Sequence, residues 1–167
     1  MKLLLLALLL VCFSPKSGAA TPNIILFVTD DQSPIAGCYG HTDIKTPHLD
    51  SLAAEGTRFT HAFATTASCS ASRSVILSGL HNHRNGQYGH THAFHKFASF
   101  PAVAAVSLPL QMKQAGYRTA QIGKYHVAPV SVFEFEKRLA GNARNARSMA
   151  ESCRDLFQEN SDKPFFL

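Results

Sequence analysis

The stretch Asn23-Ile24-Ile25-Leu26-Phe27-Val28-Thr29-Asp30-Asp31 carries an apolar run of strand length straight into two adjacent carboxylates. A half-solvated strand alternates apolar and polar side chains, whereas a continuous run suits a central strand of a parallel sheet, buried on both faces. Open α/β sheets place their chemistry at the carboxyl ends of such strands, which is where Asp30 and Asp31 fall.

Strand and helix signals alternate onward from this point. Thr46-Pro47 opens a helix with a Thr cap and Pro at its first position, Leu49, Leu52 and Ala53 form its apolar stripe, and Gly56 stops it. Arg58 to Ala64 alternates in hydrophobicity and predicts a second strand. A helix beginning near Cys69 carries Val75, Ile76 and Leu77, and Ser107 to Gly116 repeats the grammar of the first helix with Ser107 as cap and Pro109 in the first turn. Arg118 to Ile122 predicts another strand. Asn145 to Asn160 sets Met149, Cys153, Leu156 and Phe157 at helical spacing with Arg147 and Arg154 directed outward. Lys163-Pro164-Phe165-Phe166-Leu167 reads as the first half of a further buried strand, which suggests a truncated chain. This alternation predicts an α/β fold with a mostly parallel central sheet flanked by helices.

Composition sets the class. The chain has 167 residues, 46% hydrophobic and 16% charged, enough to bury the core of one domain and too apolar for a disordered chain. At the N-terminus, Lys2, the apolar run Leu3 to Phe13 and the small residues Gly18-Ala19-Ala20 have the layout of a secretory signal peptide over residues 1–20. Its removal takes Lys2 and Lys16 and no acid, lowering the formal net charge of +5 by two. A modest, scattered positive charge behind a secretory signal excludes a nucleic-acid binder. No remaining run is long enough to span a membrane. Cys12 leaves with the signal, so Cys38, Cys69 and Cys153 remain, an odd number that does not indicate a disulfide framework. No Asn-x-Ser/Thr site occurs.

Two groups of residues could carry chemistry. Asp30 and Asp31 repel each other unless a cation lies beside them, and a hard divalent ion would relieve the repulsion; a solvated Asp-Asp turn is the plain alternative. Cys69-Ser70-Ala71-Ser72-Arg73 sets a nucleophile-type side chain at a helix start with a guanidinium one turn later, and both features favour anions. Such a position favours a reactive thiolate, the other reading being a buried structural cysteine beside a cap.

The order and spacing of Asp30-Asp31, Thr46-Pro47-His48-Leu49-Asp50, Cys69-Ser70-Ala71-Ser72-Arg73, Leu77-Ser78-Gly79 and Gly123-Lys124-Tyr125-His126 resemble the N-terminal part of the type I sulfatases over nearly all of residues 21–167. The stretch His83 to Gly89, with His95-Lys96-Phe97 and Ser99-Phe100, is most similar to the members that remove N-linked sulfate from glucosamine in heparan sulfate. The resemblance implies an alkaline phosphatase-like sulfatase fold, of which residues 21–167 are the incomplete N-terminal part. It implies that a formylglycine-generating enzyme oxidises Cys69 to formylglycine, which accounts for the odd cysteine. Asp30, Asp31 and the residue-69 oxygen would bind a calcium ion. Arg73 and Lys124 would neutralise sulfate oxygens while a hydrate oxygen attacks sulfur, and His126 would take the proton of the second hydroxyl. A sulfated glycosaminoglycan, heparan sulfate, is the implied substrate, and a full-length homodimer is an implied assembly. The lysosome is the implied compartment, with the extracellular space and periplasm as alternatives.

Two departures accompany the resemblance. Ala71 stands where the family motif usually has proline. Members are also much longer and draw an Asp-Asn calcium pair and a leaving-group acid from regions absent here, so half a metal site and an inactive chain are expected. The alternatives are an O-sulfatase or related phosphoester hydrolase using the same nucleophile, and a fragment without catalysis. His81, His83, His90, His92 and His95 have an i, i+2 spacing compatible with zinc ligands but no cysteine near them in sequence; the resemblance instead places them, with Arg84, in a loop near the substrate entrance. Arg144, Arg147 and Arg154 read as a solvated helix face.

Overall fold

The computed structural model describes residues 21–167; the signal-peptide assignment falls on residues 1–20 and lies outside them. The helices are α1 (Pro47–Glu55), α2 (Cys69–Ser78), α3 (Asn82–Asn85), α4 (Leu108–Gln114), α5 (Ala146–Ser152) and α6 (Arg154–Gln158). The strands are β1 (Arg118–Ile122), β2 (Lys137–Leu139) and β3 (Phe165–Phe166), in the order β2-β1-β3 with both pairings parallel.

Consecutive strand residues face opposite sides of the sheet, and β3 uses both. Phe166 packs with Tyr117 and Phe135 on the side covered by Leu108 and Met112 of α4. Phe165 packs with Ala120 and with Leu156 of α6 on the other. Helices therefore cover both faces, as the sequence predicts for an α/β sheet. A third cluster of Val103, Val127, Val132 and Phe133 fills the space beyond α2, against Leu77 and Leu80.

The predicted helices at Thr46–Pro47, near Cys69 and after Ser107 are present, as is the strand Arg118–Ile122. Three expectations are corrected. Residues 23–29 extend the sheet as a parallel neighbour of β3, through Ile24 N–H to Phe165 O (2.9 Å), Leu167 N–H to Ile24 O (3.0 Å) and Leu26 N–H to Leu167 O (2.7 Å). They are bridged only at Ile24 and are not buried on both faces: Phe27 is 84% exposed, because no described element packs over the segment. Arg58 to Ala64 forms no strand, since its alternating side chains find no partner strand and Phe59 and Phe63 stay exposed. The helix expected over 145–160 is broken into α5 and α6 at Cys153, which buries its thiol while Leu156 reaches the sheet. Arg144, Arg147 and Arg154 are exposed, as expected, but they do not share one helix face: Arg144 precedes α5, Arg147 lies on α5 and Arg154 opens α6. Among the described residues no helix is long and apolar enough to cross a membrane.

Candidate active site

Three segments meet at the carboxyl edge of the sheet. The extended segment pairing with β3 leads to Asp30-Asp31, β1 leads through Gly123 to Lys124-Tyr125-His126, and α2 points its N-terminus at both. Asp31 and His126 take left-handed backbone conformations, φ 51° and 52°, that non-glycine residues adopt sparingly. Such strain is characteristic of positions held by a site.

Cys69 is the first residue of α2. Ser68 before it is extended, and the helix ends at Gly79, whose φ of 66° lies in the left-handed region that glycine adopts at least cost. The face α2 buries is small and mostly polar: Ser70, Ser74 and Ser78 with Ala71, while Val75, Ile76 and Leu77 are less buried. That face rests on amides from α3 and the loop after it. Asn85 Nδ2 donates to Ser74 Oγ (3.0 Å) and Leu80 O (3.0 Å), and Asn82 Nδ2 donates to Ala71 O (3.0 Å) and Gln87 O (2.8 Å). Thr91 N–H donates to Ser70 Oγ at 3.2 Å, which fastens the His90–His92 loop to the first turn of the helix. Asn85 is fully buried, so its hydrogen bonds replace water rather than supplement it. Ala71 lies in the first turn, where backbone N–H groups have no acceptor within the helix, so proline could occupy this position without breaking an intrahelical bond.

The expected cation beside Asp30 is supplied here by the chain itself. Lys124 Nζ lies 2.8 Å from both Asp30 oxygens, and Arg73 Nη2 lies 3.5 Å from Oδ1. Arg73 is held in place by donating Nη1–H to Lys124 O at 2.9 Å. The hydrogen bond from Lys124, with the Coulombic pull of Lys124 and Arg73, holds the Asp30 carboxyl below its ordinary range. Lys124 is raised, chiefly by Asp30 and further by Cys69.

His126 is half-buried and stacks on His92 at 5.0 Å and His90 at 5.6 Å between ring centroids. Its Nε2 is 2.9 Å from His92 Nδ1. Burial first, then the positive neighbours Lys124, His92, His90 and Arg73, lowers its pKa and favours the neutral ring. Neutral imidazole is the form that accepts a proton.

One ligand atom each from Asp30, Asp31 and Cys69 lies within 4.8 Å of the others. Two carboxylates are a hard donor set suited to calcium, which takes oxygens, and an oxygen at residue 69 would extend it. The set fits calcium in kind and falls short of the 6 to 8 oxygens calcium takes. All six residues singled out in the sequence, Asp30, Asp31, Cys69, Arg73, Lys124 and His126, therefore gather in one place. Of the histidine cluster, only His90 and His92 join them. His81 and His83 stack on each other, and His95 packs against Phe94 and Phe97. The amides Asn82, Asn85 and Gln87 were not legible as positioning residues, since polar side chains between helices look like a solvated loop.

The chain belongs to the sulfatase family, whose model matches residues 22–167. It is 40% identical over 152 residues to human N-sulphoglucosamine sulphohydrolase, covering 87% of this chain and 30% of that protein. It is 39% identical over 118 residues to N-acetylglucosamine-6-O-sulfatase of Bacteroides thetaiotaomicron, covering 70% of this chain and 20% of that one. A structure solved in complex with its substrate D-glucosamine-2-N,6-O-disulfate superposes with a TM-score of 0.64 at 28% identity, over 87% of this chain and 33% of that chain. The chain thus spans about a third or less of the length of the relatives it matches.

Proposed function

We propose that this chain is the nucleophile-bearing part of a sulfohydrolase that removes N-linked sulfate from glucosamine residues of heparan sulfate. The observation that carries the reading is the convergence of Cys69, at the start of α2, with Arg73, Lys124 and His126 beside Asp30 and Asp31. The likeness to the human sulphohydrolase supports the choice of the N–S bond. Residues 21–167 then form the N-terminal part of the catalytic domain, residues 1–20 direct it into the secretory pathway, where Cys69 meets the modifying enzyme, and the lysosome is the favoured destination.

The sulfate group sits at the N-terminus of α2, where unpaired N–H groups and the helix dipole favour an anion. Arg73 and Lys124 face it with fixed positive charge, and the raised Lys124 keeps its proton throughout the neutral range. Conversion of Cys69 to formylglycine supplies a hydrated aldehyde, one hydroxyl oxygen of which attacks sulfur as the N–S bond breaks and the glucosamine leaves as its amine. Asp30, Asp31 and an oxygen at residue 69 are the groups that would hold a calcium ion, which when bound would supply additional positive charge beside the sulfate. His126, kept neutral by its surroundings, accepts the proton of the second hydroxyl, so that the sulfated hydrate collapses, releases sulfate and restores the aldehyde.

The test is hydrolysis by the full gene product, produced with the modifying enzyme, of N-sulfoglucosamine against glucosamine 6-O-sulfate. Sulfate release from the N-sulfated sugar, abolished by Cys69→Ala, supports the reading. Release from the 6-O-sulfated sugar alone assigns an O-sulfatase, as the likeness to the Bacteroides enzyme would favour. Release from neither overturns both.

A further inference from the structure

The histidines near Cys69 form a second constellation, which the calcium reading does not use. One ligand atom each from Cys69, His90 and His126 lies within 4.8 Å of the other two. Cys69 and His90 are separated by a helix and a loop, yet Thr91 N–H bound to Ser70 Oγ brings them together. Nδ1 of His90 and Nδ1 of His126 are both buried without a hydrogen-bond partner among the described residues. Unpaired buried polar atoms are rare in folded proteins and call for an explanation.

We propose that, while residue 69 is still a cysteine thiol, Cys69, His90 and His126 bind a zinc ion. Sulfur and imidazole nitrogens are the donors zinc prefers, in the three-ligand arrangement that leaves a fourth position open. Bonds of about 2.0–2.3 Å set tetrahedral ligands within about 4 Å of one another, so side-chain rotations suffice to close the site. The outer contact is also in place: with Nδ1 of His126 on the metal, its Nε2–H donates to His92 Nδ1 at 2.9 Å, the contact that fixes the tautomer of a ligating histidine. Binding releases the thiol proton to solvent. Cys69 belongs to both constellations, so the two cations are exclusive in kind: a thiol draws the soft site together with the histidines, and an oxygen at residue 69 joins the hard site with Asp30 and Asp31. Zinc therefore occupies the protein in which residue 69 is still a thiol. The inference concerns the thiol form and stands whether or not the sulfatase reading holds.

The experiment is titration of the reduced full-length chain, made without the modifying enzyme, with cobalt(II) and then zinc. One equivalent of cobalt is expected to give thiolate-to-cobalt charge transfer and tetrahedral ligand-field bands, both displaced by zinc and insensitive to excess calcium. X-ray absorption of the zinc-loaded wild type is expected to give one sulfur and at least two imidazole nitrogens, a readout that needs no variant. Cys69→Ser should abolish the charge-transfer band, Cys38→Ser should retain it, and His92→Gln should weaken binding about 10- to 100-fold. A zinc shell without sulfur, a band that survives Cys69→Ser, or no stoichiometric binding would each overturn the proposal.

Discussion

Lys124 Nζ stands 2.8 Å from each oxygen of Asp30, across 94 residues of sequence. The two residues follow strand positions separated by β3, so their contact closes the carboxyl edge of the sheet above that strand. Asp30 is lowered by Lys124, so its contribution is complete above its ordinary value of 3.8 and is lost as pH falls through the lowered one. Lys124 is raised, chiefly by Asp30, so its contribution is complete below 10.5 and is lost as pH rises through the raised value. Asp30→Asn removes that contribution at neutral pH, but because the pair is solvent-exposed the melting temperature near pH 7 is expected to fall only slightly. Calcium affinity by calorimetry should fall by more than about tenfold, as expected for losing a ligand rather than an outer-shell contact.

His126 is held neutral by burial and by positive neighbours that include His92 and His90. Its folded value lies below 6.5, so the stability linked to it is present above that pH and declines as pH falls through the folded value. Removing the neighbouring ring with His92→Ala is expected to raise the His126 pKa toward the ordinary histidine value. A proton NMR titration of the imidazole resonances reads this directly, and the acid limb of turnover should move to higher pH with it.

The polar bed under α2 predicts a large stability effect from a residue remote from the chemistry. Asn85→Ala would leave Leu80 O and Gln87 N–H, now 3.0 and 2.8 Å from the Asn85 side chain, without that partner in a buried setting. The expected loss is about 2–4 kcal/mol in urea unfolding, with faster hydrogen exchange in α2.

Tyr125 lies between Lys124 and His126, and its hydroxyl donates to Phe133 O at 2.6 Å. Tyr125→Phe should cost about 1–2 kcal/mol. Burial pushes its pKa up to about 12, so stability is complete below the ordinary 10.0 and falls between pH 10.0 and about 12. An absorbance titration of tyrosinate with a parallel melting series should show that alkaline loss, reduced in the phenylalanine variant.

What sequence reveals here follows from how local each signal is. Thr46-Pro47 with Gly56, Pro109 with Gly116, and Gly79 after α2 are punctuation that a helix carries within itself, and those helices are where they were expected. β2 escaped notice because Lys137-Arg138-Leu139 has no apolar period; it exists because the free edge of β1 accepts it in parallel register. The alternation of Arg58 to Ala64 misled for the converse reason, a pattern without a partner. The site residues stood out because acids, a cysteine and basic groups fell at strand and helix ends. The meeting of Cys69 with His90 could not be read, because 21 positions separate them and a backbone hydrogen bond brings them together.

The central claim is that Cys69 becomes the nucleophile. The most direct measurement is peptide mass spectrometry across Cys69 in protein purified from a secretory host that modifies a control sulfatase. The account predicts the mass loss that marks cysteine becoming formylglycine, together with an aldehyde that reacts with hydrazide probes and is absent in Cys69→Ala. An unmodified thiol at Cys69 in that same host would contradict it.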